Sequence, residues 1–177
     1  RAETLTPFGV PMLTLAVSGD RLGVHLSAQN LYYLGTASPE NLGQFVNIPL
    51  NPEDLVRVLL YQPALITAWK EEAFTLTDGG WLLIRSGVEQ RQELVFNTER
   101  ELVEVAYFVE NDLKLRVSYS HLNDLARPYP AHVKLELPEK YATIDLEFTD
   151  YETNAKIRDG LFMLTPPPGA KVVYLPN

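Results

Sequence analysis

Apolar and polar residues alternate with a period of two through most of this chain, and that pattern restricts it to a sheet-based fold. Leu22-Gly23-Val24-His25-Leu26 alternates without a break. Gly19-Asp20 before it predicts a hairpin with Leu13-Thr14-Leu15-Ala16-Val17. Leu31-Tyr32-Tyr33-Leu34 reads as a third strand, ended by Gly35. Further strands are predicted over Phe74–Thr77 and Trp81–Ile84, with Asp78-Gly79-Gly80 turning between them. Gln92–Asn97, Leu102–Val109 and Leu113–Tyr119 continue the series, the last two joined by Asn111-Asp112. Val133–Leu137 and Ile144–Phe148 each have one apolar and one charged face, as in an antiparallel sheet wetted on one side.

Helical signals interrupt the strands once. Ser38 is suited to cap a short helix that has Pro39 at its first position and Glu40 in its first turn. Asn51, Pro52, Glu53 and Asp54 repeat that start, and predict a helix over roughly 52–62 with Leu55, Val58 and Leu59 on one face. Pro63 is the expected stop. Helices placed between strands of a meander must lie over the sheet or plug its open end. The triple proline Pro166-Pro167-Pro168 cannot donate to a ladder. It marks a crossover or edge connection between Leu161–Leu164 and Val172–Leu175. No repeat, low-complexity stretch or long linker divides the chain, so residues 1–177 are expected to form a single domain.

A net charge of −8 and the lack of a basic run argue against a nucleic-acid surface. With no cysteine, the chain has no thiolate nucleophile and no disulfide. His25, His121 and His132 lack metal-ligand spacing, so no metal is expected. Ser118, Ser120 and His121 are neighbours, but no nucleophile-elbow pattern accompanies them. Asp145 and Glu147 share the outward face of one strand and read as a solvated pair. These readings predict a protein that is not an enzyme and needs no cofactor.

Thr6-Pro7-Phe8-Gly9-Val10-Pro11 places a large aromatic in a tight turn before the first strand, since proline fixes φ and glycine permits unusual φ. A side chain of that size is either buried by another part of the protein or offered to something outside it. Trp69, Phe74, Trp81, Phe96, Tyr107, Phe108, Tyr119 and Phe148 fall on or beside strands, and core filling accounts for most of them. A sheet of about ten strands under two short helices also leaves room for a dry cavity suited to acyl chains.

The ordered set Thr6-Pro7-Phe8-Gly9, the alternating strands, Leu31–Leu34, Asn47-Ile48-Pro49-Leu50 and the stretch from Leu55 to Gln62-Pro63 resembles the LolA/LolB family, which carries and inserts outer-membrane lipoproteins. The likeness covers most of residues 4–150 and is greatest to the LolB branch. In that branch a Pro-Leu-Gly turn projects an apolar side chain essential for insertion, and Phe8 stands in that place here. The tail from Leu161 to Leu175 is more similar to the LolA branch. Tyr61-Gln62-Pro63 also departs from the Gly-Pro that ends the lid helix in LolB.

The resemblance implies a mainly β fold with an α lid: an unclosed antiparallel β-barrel enclosing a hydrophobic cavity, with short helices inserted between strands. The cavity would be lined by Leu15, Val17, Leu76, Trp81, Phe108, Leu115 and Val117, with Leu55 and Leu59 beneath the lid and Phe8 as the membrane-contact residue. It implies binding of lipoprotein or lipid acyl chains, a LolA-type carrier as partner, and contact with a membrane interface. The expected location is the periplasmic side of the bacterial outer membrane. There the full-length protein would be lipid-anchored, through a segment that also holds the family's first strands and helix. The alternative is a non-enzymatic envelope scaffold that holds a partner protein with the same fold.

Overall fold

The computed structural model describes residues 1–46, 51–122, 129–150, 152 and 154–176; the Asn47–Leu50 part of the resemblance lies outside them. Among the described residues the chain is mainly β, with two α-helices and two sheets, neither of which closes into a barrel. Contacts divide it into two compact units, Arg1–Leu55 with Thr153–Asn177, and Val56–Glu152.

The first unit holds a five-stranded sheet. Strands β1 (Ala2–Leu5), β2 (Pro11–Ser18), β3 (Arg21–Leu26) and β4 (Leu31–Thr36) form an antiparallel meander in that order, and β12 (Lys171–Tyr174) adds to β4 in parallel. Leu15, Leu22 and Val24 point to one face, where they form a packed core with Leu42 and Leu175. Leu42 belongs to helix α1 (Pro39–Val46), whose start is capped as expected: the Ser38 hydroxyl accepts the Asn41 N–H at 3.2 Å. Buried Asn41 donates its side-chain amide to the carbonyls of Thr36 and Pro176, tying the helix start to the chain end beyond β12.

Gly35 does not end its strand; it lies within β4, where a Cβ would stand 2.6 Å from Leu175 Cβ. The missing side chain is what lets β12 close on β4. The triple proline does serve as a connection into this edge strand, but Leu161–Leu164 before it forms turns and no strand.

The second unit holds a seven-stranded antiparallel sheet. Its order is β11 (Ala142–Glu147), β10 (Pro130–Leu137), β9 (Asp112–Leu122), β8 (Leu102–Val109), β7 (Gln90–Phe96), β6 (Trp81–Ser86) and β5 (Lys70–Thr75). The strand expected over Phe74–Thr77 therefore starts earlier, and Leu76 falls in the turn, where its N–H donates to the Gly80 carbonyl.

Helix α2 (Pro52–Leu59) begins in the first unit and ends in the second. Asn51 caps it by accepting the Asp54 N–H at 2.8 Å. It stops short of the expected 62. Tyr61 takes a left-handed φ of +60°, and the Gln62 N–H reaches back to the Arg57 carbonyl, so a Schellman-type closure ends the helix before Pro63 acts.

Candidate functional site

The hairpin between β1 and β2 is closed by three hydrogen bonds. Thr6 N–H donates to the Val10 carbonyl, Gly9 N–H to the Thr6 carbonyl, and Val10 N–H to the Thr6 hydroxyl. Gly9 takes φ +78°, a conformation that disfavours any side chain. This turn carries Phe8 at its tip, 93% exposed, with Leu5, Val10 and Met12 also exposed nearby. Of the two fates open to Phe8 in the sequence, the structure gives the outward one. Four apolar side chains of this hairpin are thus exposed, with no charged residue between Leu5 and Met12.

The residues expected to line a cavity fall in several environments. Leu15 is buried in the first unit's core, and Val17 and Leu55 pack against it, with Phe45 and Val46 of α1 on the same cluster. In the second unit, cross-strand register sets Val117 opposite Val105 and Leu135, then Leu94 and Leu83, in one apolar row. Leu115 and Trp81 share that face by alternation, Leu115 being buried and Trp81 half-buried. Phe108 lies on the opposite face, three positions beyond Val105, where the Arg91 guanidinium sits 4.1 Å from its ring centroid. A one-residue step in a strand moves a side chain to the other face, so Phe108 does not join Leu115 and Val117. Leu76 is a turn residue and Leu59 is half-buried at the end of α2.

Polar side chains hold this face together. Gln92 is fully buried in the apolar alternation of β7; its amide donates to the Ala64 carbonyl and its oxygen accepts the Ile66 N–H. The Tyr107 hydroxyl also donates to the Ala64 carbonyl, at 2.8 Å, and that of Tyr61 donates to the Leu102 carbonyl at 2.7 Å. Residues 61–66 are thereby stitched across β7 and β8. The polar Gln92 at an inward position was the available signal. Burial pushes the hydroxyl of Tyr119 well above the ordinary tyrosine range and raises that of Tyr61. Their rings meet edge to face at 5.0 Å.

A hollow of about 440 Å³ lies on the first unit's sheet, on the face opposite its core. Ala16, Gly23 and Leu34 stand in cross-strand register there, and the missing side chain of Gly23 admits the Tyr32 hydroxyl, 2.7 Å from where a Cβ would stand, and Leu164. Buried Tyr32 bounds the hollow, and its hydroxyl donates to the Leu164 carbonyl at 2.7 Å. That bond fastens residues Phe162–Pro166 over the sheet as a strap. Ser18, Asp20 and Arg21 also line the hollow.

Nothing in either unit brings a serine, a base and a third orienting group together among the hydrogen bonds of the described residues. The rings of His121 and His132 do approach to 5.4 Å, which their sequence separation concealed. No group of three or more histidine, cysteine or acidic residues suited to a metal ion occurs among the described residues. No protein-family model matches the sequence, and no curated protein matches it either.

Proposed function

We propose that this chain is a non-catalytic acyl-chain-binding protein of the LolA/LolB kind, taking lipoprotein or lipid acyl chains to or into the outer membrane. The observation that carries this reading is the exposed Phe8 at the tip of a hydrogen-bonded hairpin whose Leu5, Val10 and Met12 are exposed as well. Aromatic side chains are favoured at headgroup depth. Burying one such side chain is worth about 1.5–3 kcal/mol, so the hairpin suits a transient contact more than a permanent anchor.

Acyl chains left in water cost about 0.8 kcal/mol per methylene, so transit requires apolar cover. The apolar row through Leu83, Leu94, Val105 and Val117 is the surface that would supply it, extended by Leu115 and Trp81. Leu59, at the end of α2 in the same unit, would contribute from the helix. Phe108, on the reverse face, is not assigned to this role. A carrier of the LolA type would deliver the ligand, on the periplasmic side of the outer membrane.

The test is Phe8→Glu in binding to phosphatidylethanolamine vesicles and in lipoprotein insertion. Loss of both, with lipopeptide uptake in solution retained, supports the proposal. Unchanged insertion overturns the role of Phe8.

One observation favours a second reading, the scaffold. Strand β5 ends the seven-stranded sheet, and Trp69 next to it is mostly exposed, a combination that suits pairing with an extended peptide. Purification of the chain free of acylated species, with no uptake of added lipopeptide, would favour it.

A further inference from the structure

We propose that the hollow beneath the Phe162–Pro166 strap binds a zwitterionic amphiphile, its head at Asp20 and Arg21 and its tail along Ala16, Leu34 and Phe162. This goes beyond the acyl-carrier reading, because it concerns the opposite face of the first unit's sheet from the one that carries Leu15 and Val17.

The volume, about 440 Å³, falls within the range of small-molecule pockets, roughly 300–1,000 Å³. Its floor is apolar: Ala16, Gly23 and Leu34, roofed by Phe162, Met163 and Leu164. Its polar groups gather at one end because β2 and β3 join there, setting Ser18 opposite Arg21 with Asp20 in the turn. Asp20 and Arg21 carry opposite charges, and neither is engaged in an ion pair among the described residues. A ligand of one sign would meet repulsion from one of the two, whereas a head bearing both signs satisfies both.

The strap accounts for access. Phe162 and Met163 are exposed, and the Tyr32–Leu164 hydrogen bond holds their neighbour to the sheet. A tail sliding under Phe162 need not break that bond.

The experiment is amide NMR titration of the full chain with monomeric dodecylphosphocholine, kept below its micelle concentration. Saturable shifts at Gly23, Leu34 and Leu164 are expected, with affinity falling roughly tenfold in Arg21→Gln and in Asp20→Asn, since each loses one charge-assisted contact. Dodecyl phosphate, which lacks the cationic group, is expected to bind the parent chain more weakly and to bind Asp20→Asn more tightly, since that change removes the repelling carboxylate. No binding, affinity unchanged from the parent chain in either variant, or equal affinity for the two probes overturns the proposal. Shifts confined to Leu115 and Val117 would overturn it while leaving the acyl-carrier reading intact.

Discussion

The Tyr119 hydroxyl on β9 donates to the Val58 carbonyl on α2 across 3.2 Å, although the two residues are 61 positions apart in sequence. Val58 is itself buried, and its carbonyl also accepts the Tyr61 N–H at 3.2 Å. One oxygen thus joins the end of the helix to the sheet and to the turn that follows.

Tyr119→Phe removes that bond while keeping the ring against Tyr61. The expected cost is about 0.5–1.5 kcal/mol, the usual net worth of a hydrogen bond, read as a lowered urea midpoint at unchanged m. Amide exchange at Leu60 and Tyr61 should quicken more than exchange in β12. Equal quickening throughout would mean that the bond has no local role at the helix end.

Alkali should unfold the chain through its buried tyrosines. Burial raises the Tyr119, Tyr61 and Tyr32 hydroxyls above their ordinary value of about 10, Arg21 opposing this in part for Tyr32. A raised folded value means that this stability is complete below the unfolded value and declines as pH rises beyond it. Spectrophotometric titration should therefore show some of the nine tyrosines ionising early and reversibly, and the buried ones later, together with loss of tertiary structure. All nine titrating as one exposed class would contradict this.

Phe8 and Gly9 should respond differently to substitution. Phe8→Ser is expected to leave stability within about 0.5 kcal/mol, because so exposed a side chain has little to lose on unfolding. Gly9→Ala meets no atom within 4 Å, yet φ +78° makes it cost about 1–2 kcal/mol through backbone strain alone. Thermal melts of both variants check this. A neutral Gly9→Ala would show that the turn relaxes out of the left-handed region.

Gly35→Ala should cost more, about 1–3 kcal/mol, since its new methyl would lie 2.6 Å from Leu175 Cβ. The parallel β4–β12 ladder is expected to open first, seen as lost amide protection at Val172–Leu175 before β2 or β3 is affected. Protection lost evenly over the sheet would refute this order.

Most strands were legible because each has one buried and one wet face, and a period of two records that directly in residue order. The β2–β3 hairpin and the β8–β9 pair followed from Gly19-Asp20 and Asn111-Asp112, turn chemistry local to a few residues. Capping by Ser38 and Asn51 was legible for the same reason. Helix α2 was drawn too long because its end depends on Tyr61 adopting a left-handed φ, for which the sequence offers no glycine.

By itself, then, the sequence determined the mainly β character, the two helix starts and the aromatic turn at Phe8, all set by neighbours along the chain. Only the tertiary structure decided that Phe8 points outward and that Phe108 faces away from Val117. The same holds for Leu164 closing over Gly23, and for β12 lying parallel to β4. Each of these depends on which distant segment occupies the space beside a residue, and local periodicity carries no record of that.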